Sequence, residues 1–433
     1  METLIEFFSF GDINVLYVVL GTMLLAASAA VVGSFTLMKK KALVGDAIAH
    51  SVLPGICAAF LFAGSKSTVL MVLGAFATGW LSLLAIDYIT AKSKLKKDAA
   101  IGLVLSVFFG IGVVMLTFIQ RSGNAAQSGL EHFLFGNAAA LIGQDLAVFG
   151  ILAIIIVAVV ALFFNTFTLI AFNAEYAEVL GLPVRRLELL LTSLTVLAVV
   201  TGITAVGVVL MAAMLITPAA AARYWTDSMR KIVWIAAAFG AFSGLAGAFI
   251  SFLAPAMPTG PWMVVVSSVI AFFSFFCAPR KGILQRARRQ GKNRRLIARE
   301  NTLKLFYQLG ERTDNFFTPR TFDELRLARE MGDSALRLTL RQLRRSRLLV
   351  RHNKSWALTE LGLAEASRVV RLHRLWELYL TKRMNIATDH VHDDAEAMEH
   401  VITPELEREL ERELGYPSKD PHDSPIPDAG NPN

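Results

Sequence analysis

The chain has 433 residues, 54% hydrophobic and 18% charged, with a formal net charge of +8 and two cysteines. The distribution excludes an ordinary water-soluble enzyme: residues 1–278 are mostly uncharged blocks of Ala, Val, Leu, Ile, Phe and Gly, each near the roughly 20 residues that cross a bilayer. Cys57 and Cys277 both lie in apolar stretches, which excludes a disulfide framework and a CxxC metal site and reads them as packing residues.

In chain order, the opening METLIEFFSFGDIN carries Glu2, Glu6 and Asp12 and lacks the basic start and small-residue cleavage site of a secretory signal, so no leader is expected to be removed. Spans are expected near 15–37, 42–63, 68–90, 99–119, 145–168, 188–206, 207–222, 231–253 and 260–277. This makes a mostly α, polytopic helical bundle of about nine spans, N-terminus outside and C-terminus inside. The basic segments Lys39–Lys41, Lys92–Lys97, Arg185–Arg186, Arg223–Lys231 and Arg280 onward then all face the cytoplasm. Between 188 and 222, Gly202 and Gly207 interrupt one long apolar run, and the pattern leaves the division there open.

The second span opens with GDAIAHSVLPG, which sets Asp46 and His50 four residues apart on one helical face. A carboxylate and an imidazole so placed form half of a metal coordination site, and charge at membrane depth usually faces a bundle interior or a wet pathway. Pro54 and Gly55 bend or loosen the helix beyond. A second reading stands beside this one: Asp46 caps the helix N-terminus after Lys39–Lys41, and His50 hydrogen-bonds a neighbouring helix. In the external loop, Glu131 and His132 read as a solvated pair or as a capture point for metal at the outer mouth.

The segment AFNAEYAEVLGLPVRRLE, residues 171–188, predicts a short cytoplasmic helix around Glu175, Ala177 and Glu178, stopped by Gly181 and Pro183. From composition alone it is equally an amphipathic connector. TGITAVGVVLMAAMLITPAAAAR is rich in small residues that let helices approach closely, and Pro218 breaks the span near its end. No GxxxxGK[ST] loop is present, so the chain is expected not to hydrolyse ATP and is not read as an enzyme.

These segments resemble the membrane permeases of ATP-binding-cassette importers for zinc, manganese and iron. The likeness rests on GSFTLMKKKALVGDAIAHSVLPG and on the small-residue run ending Pro-Ala-Ala, and it extends over residues 1 to about 280 in order and spacing. It implies that Asp46 and His50 bind the passing divalent cation (Mn, Zn or Fe, the substrate), and that no organic cofactor takes part. It further implies that Glu175, Ala177 and Gly181 belong to a helix coupling to an ATPase subunit. Implied partners are that ATPase, an extracytoplasmic metal-binding protein and a second permease copy in the cytoplasmic membrane, working by alternating access. Oxygen plus imidazole nitrogen suits all three metals.

After Cys277 the character changes: 29 of the 43 Lys and Arg residues follow it. The reading divides the chain into a permease domain, 1–279, a basic linker, 280–299, a winged-helix-like domain, 300–368, and a metal-binding or dimerisation segment, 369–433. SALRLTLRQLRRSRLL predicts a helix presenting Arg337, Arg341, Arg344 and Arg345, followed by LVRHNKSWALTELG, two short strands around His352 and Asn353. The arginines can engage phosphates, an acidic protein surface or lipid, nucleic acid being the weaker reading for a membrane-tethered domain. HRLWELYL sets His373 and Glu377 one turn apart, and HDDAEAMEH brings Glu396, Glu399 and His400 to neighbouring positions. An exposed polar helix face has the same pattern.

This tail resembles the diphtheria-toxin-repressor and manganese-repressor family, through Leu-Thr-x-x-Gly closing the wing, HR-x-x-E, the ligand-x-x-EH run and the closing Pro-His-x-x-Pro-Ile-Pro. The resemblance implies metal ligands at His373, Glu377, Glu396, Glu399 and His400, with Glu396 a departure toward the manganese type. It also implies an acidic pair from the first helix, where this chain has Asn301 and Lys304. Two functional classes follow: a metal-importer permease whose tail senses metal, or a membrane-tethered, metal-responsive transcription regulator. A permease for siderophores or corrinoids is weaker, because a chelate needs no protein ligands.

Overall fold

A computed structural model describes residues 2–9, 11–39, 42–64, 67–121, 136, 138, 141–253, 257–328, 332–384, 404–422 and 424–427. It divides into two compact units, Met1–Arg286 and Ala287–Asn433.

The first unit opens with α1 (Glu2–Ser9) and α2 (Ile13–Met38), followed by α3 (Ala42–Ser51), α4 (Leu53–Ala63), α5 (Thr68–Lys92) and α6 (Lys97–Arg121). Then come α7 (Gly143–Leu162), α8 (Phe164–Phe172), α9 (Ala174–Val179), α10 (Val184–Val206), α11 (Val208–Trp225), α12 (Met229–Leu253) and α13 (Thr259–Cys277). Among the described residues, eight crossings are long and apolar enough to span a membrane, with α3 and α4 together forming one of them, Leu43–Ala63. The expected segment near 207–222 is α11, a separate helix of 18 residues. Gly207, at φ 91°, divides α10 from α11, a backbone conformation that glycine adopts without steric cost.

Helix α2 packs against α7, α10, α11 and α12. Its buried hydroxyls bond back to their own helix: Thr22 donates to the Val18 carbonyl at 2.7 Å and Ser34 to the Ala30 carbonyl at 2.8 Å. The Thr22 hydroxyl also reaches the Gly244 carbonyl of α12 at 3.2 Å, and the small residues around it let the backbones come together. A Cβ on Gly33 would stand 1.8 Å from the Leu215 carbonyl oxygen of α11, and one on Gly240 would stand 2.5 Å from the Ala26 carbonyl oxygen.

The broken crossing α3–α4 is enclosed in the same way by α5, α6, α10 and α11. Pro54 lies in the first turn of α4, where its missing N–H costs nothing. Gly55 and Gly74 face each other so closely that a Cβ on either would stand 2.1 or 2.3 Å from the other's carbonyl oxygen, and one on Gly112 would meet Leu53 at 2.8 Å. Cys57 is buried here as a packing residue, whereas Cys277 is exposed on α13, because its side chain points out of the bundle.

Charge pairs tie the basic-loop ends. Lys39 at the end of α2 pairs with Glu188 in the first turns of α10, and Asp227, between α11 and α12, pairs with Lys281 and with Arg280 at 3.5 Å. Hydrogen bonding and attraction from Lys281, then Arg280, hold the Asp227 carboxyl below its ordinary range. Since the pKa is depressed, this tie is present above the ordinary carboxylate range and is lost only as pH falls through the lowered value.

Helix α14 (Ile283–Thr313) has 31 residues, the first four of them belonging to the first unit. The segment read as a linker is thus helical from Ile283, and the same helix supplies the first core positions of the tail, Leu303, Leu305, Phe306 and Tyr307. There follow β1 (Arg320–Thr321), α15 (Phe322–Ala328), α16 (Asp333–Arg345), β2 (Leu349–His352), β3 (Ser355–Leu358), α17 (Glu360–Met384) and α18 (Pro404–Leu414). The sheet order is β1-β3-β2, antiparallel throughout, with Leu349 opposite Leu358 and His352 opposite Ser355. Asn353, at φ 52°, turns the wing. Thr359 joins the wing to α17: its hydroxyl donates to the Arg347 carbonyl at 2.8 Å, and its Oγ1 accepts from the Gly362 N–H at 3.0 Å. A Cβ on Gly362 would stand 1.9 Å from the Leu348 carbonyl oxygen.

Gly55→Ala should destabilise the protein by about 1–3 kcal/mol, the usual cost of overpacking. Gly102→Ala, where a Cβ would meet nothing within 4 Å, should not. Thermal melts of the two variants in one detergent check this, the first falling well below wild type and the second matching it.

Candidate functional site

Asp46 and His50 lie inside α3, on successive turns of one face, with His50 Nε2 3.5 Å from Asp46 Oδ1. The helix begins at Ala42, so Asp46 is four residues past its start and does not cap it. His50 Nδ1 is buried and has no hydrogen-bond partner among the described residues, so the reading in which the imidazole bonds a neighbouring helix finds no such bond. Instead the ring meets Phe109 of α6 edge-on, at 5.3 Å between centroids. The Asp46 side chain is 43% exposed and that of His50 20% exposed, so the pair sits at an opening in the bundle surface. One oxygen and one imidazole nitrogen there can coordinate a divalent cation and leave its remaining positions to other ligands.

The short helix expected near 171–181 is α9. Asn173 caps it, its side chain accepting from the Tyr176 N–H at 2.9 Å, and Gly181 ends the turn at φ 79°. Ala177 is buried among Phe167, Ile170 and Val184, whereas Glu175 and Gly181 are exposed. Tyr176, Val179 and Leu180 are exposed as well, an apolar group on a short polar connector. Sequence reading singled out Glu175, Ala177 and Gly181 and did not name these three; their apolar character alone does not say whether they face the bundle or the outside.

In the tail, the winged-helix order appears as expected, and Arg337, Arg341, Arg344 and Arg345 are all exposed on α16. Together with Arg351 and Lys354 of the wing they line a cavity of about 830 Å³. Arg337 lies over the Phe322 ring at 5.1 Å and Arg351 over Trp356 at 5.4 Å. His373 and Glu377 meet on α17, Nε2 to Oε1 at 2.9 Å. Glu396, Glu399 and His400 lie outside the described residues, as do Glu131 and His132. Among the described residues no group of three or more His, Cys, Asp and Glu is placed to hold a metal ion. The closing segment is clamped to α17: Arg374 meets Glu311 through two nitrogens at 2.9 and 2.8 Å and Asp420 at 3.4 Å, and Arg371 pairs with Glu411 and reaches the Pro427 carbonyl.

The family model for the ABC 3 transport family matches residues 13–278, which run from the first residue of α2 to the residue after α13. The chain belongs to the ABC 3 transport family. It is 42% identical over 375 residues to the manganese transport system membrane protein MntC of Bacillus subtilis, covering 86% of each chain. To the zinc transport system membrane protein TroC of Treponema pallidum it is 39% identical over 284 residues, 66% of this chain and 95% of that one. Among solved structures, PsaBC from Streptococcus pneumoniae in complex with Fab is similar with a TM-score of 0.58 and 30% identity, over 64% of this chain and 97% of that one. This ABC 3 protein also carries a second matched part: residues 359–428 fit the iron dependent repressor, metal binding and dimerisation domain. That match begins at Thr359, so the arginine helix and the wing lie outside it.

In that second part His373 and Glu377 line a cavity with Asp420 and His422, and with two cations, Lys304 and Arg374, whose side chains have no lone pair to offer a metal ion.

Proposed function

We propose that this chain is the membrane permease of an ATP-driven importer for a divalent transition metal, manganese, zinc or iron, moved by alternating access. The observation that carries the reading is the Asp46–His50 pair, held in an otherwise apolar broken helix with an imidazole nitrogen left unpartnered. Similarity to a manganese and a zinc transport membrane protein supports the same class of cargo. A carboxylate 43% open on an apolar bundle is costly against lipid, which favours a second copy covering that opening and lining the route with it. Metal reaches the outer mouth from an extracytoplasmic binding protein, and the basic loops and the tail lie in the cytoplasm.

Energy comes from a separate ATPase subunit, and α9 is the surface that meets it. Ala177 anchors that helix to the bundle, Glu175 and Gly181 frame it, and the exposed Tyr176, Val179 and Leu180 supply the apolar contact. The exposed arginines of α16 serve an acidic or phosphate-bearing partner of the tail.

Two measurements test this. With the ATPase present, radiomanganese uptake into vesicles should fall by about 10-fold or more in Asp46→Asn and in His50→Gln, since even removing groups that only orient a ligand costs about 10–100-fold in metal affinity. Wild-type protein that takes up no metal would leave the competing reading, a tethered regulator. Val179→Glu should purify as a folded permease that no longer retains the ATPase, and unchanged retention would remove α9 as the coupling surface.

A further inference from the structure

Five residues, 278–282, separate the end of α13 from the start of α14, so the first residue of α14 lies no more than about 20 Å from the end of the last crossing. A turn draws it closer still: the Gly282 N–H donates to the Ala278 carbonyl at 3.0 Å and the Arg286 N–H to the Gly282 carbonyl at 2.9 Å. No Asp or Glu occurs between Asp227 and Glu300, and Asp227 is already engaged by Arg280 and Lys281. The cations that follow on α14, Arg286, Arg288, Arg289, Lys292, Arg294 and Arg295, are all exposed, and none of them meets a carboxylate among the described residues. Like charges a turn apart repel and oppose the helix that carries them. An anionic surface alongside relieves that repulsion.

We propose that this basic half of α14 is a lipid-binding element, lying against the anionic headgroups of the membrane that the chain's own spans cross. Proximity is the reason to choose lipid: an anionic leaflet is always within reach of a helix so close to a span, whereas nucleic acid or an acidic protein has to be captured from solution. The mode of binding follows from the spacing. At about 100° per residue the six cations project on all sides of the helix, and Ile283, Leu284, Leu296 and Ile297 are exposed between them without forming one apolar stripe. Attraction between charges, not insertion of an apolar face, therefore holds the helix at the surface. The inference needs only the crossings and stands apart from the cargo and the ATPase contact proposed above.

Hydrogen–deuterium exchange on the full chain in nanodiscs tests it, read on the peptides covering 283–299. In about 30% phosphatidylglycerol they should exchange about 10-fold or more slowly than in pure phosphatidylcholine, one cation near an anionic surface being worth about 5-fold. Raising NaCl to about 0.5 M should erase the difference, because salt screens attraction between charges and leaves apolar insertion in place. The variant carrying Arg288→Gln, Arg289→Gln, Lys292→Gln and Arg295→Gln should lose the difference too, with its helix intact because glutamine is a good helix former. Charge-preserving Arg288→Lys, Arg289→Lys and Arg295→Lys together should keep it, and peptides covering 360–384 should stay at wild-type rates throughout, reporting a folded tail. Equal exchange in the two lipids would overturn the inference, as would a difference that survives high salt or the glutamine variant. So would slowing that added duplex DNA or the ATPase subunit produces in phosphatidylcholine and phosphatidylglycerol does not, since the occupant would then be a soluble partner.

Discussion

Asp46 stands inside a crossing whose other residues are almost all apolar, and a charge there is tolerated only where the surrounding helices neither press lipid against it nor fill its space. The glycines around α3–α4 meet the second requirement. Gly55 and Gly74 bring α4 and α5 into backbone contact, and Gly112 lets Leu53 seat against α6. With the broken helix held so tightly on those sides, the Asp46–His50 face is left as the open one. The position of the pair follows from the packing of residues that never touch it.

The same economy of polar groups runs through α2. Its serines and threonines bond mainly to carbonyls of their own helix, with Thr22 also reaching Gly244 of α12. Further polar ties join helices at their ends, Lys39 with Glu188, Asp227 with Lys281, and Thr68 with Asp145 at 2.7 Å, and a few cross the bundle, such as Trp80 with Ser193 at 2.8 Å and Trp225 with Ser274 at 2.9 Å.

Much of this was legible in the letters because membrane spans announce themselves by length and the absence of charge. The Asp-x-x-x-His spacing survives intact from sequence to structure, since a helix fixes where i and i+4 go. The division of 188–222 expected at 206/207 is found at Gly207, although a long apolar run with two glycines left other partitions open; the positive φ of Gly207 is a backbone fact that composition does not carry. The basic stretch after Arg280 read as a linker for a related reason. Charge is the usual mark of a solvated connector, yet Arg and Lys are also good helix formers, and Leu303 onward gives their helix a core to grow from. Residue type alone marked Lys304 as a mismatch. Only burial revealed that it sits within the cavity rather than outside it.

Thr359 and Gly362 weld the end of the wing to the first turn of α17, with no room for so much as a methyl group between that turn and the Leu348 carbonyl. Strand and helix are therefore joined without slack at that turn, and the wing cannot shift along α17 there unless the Thr359 bonds break.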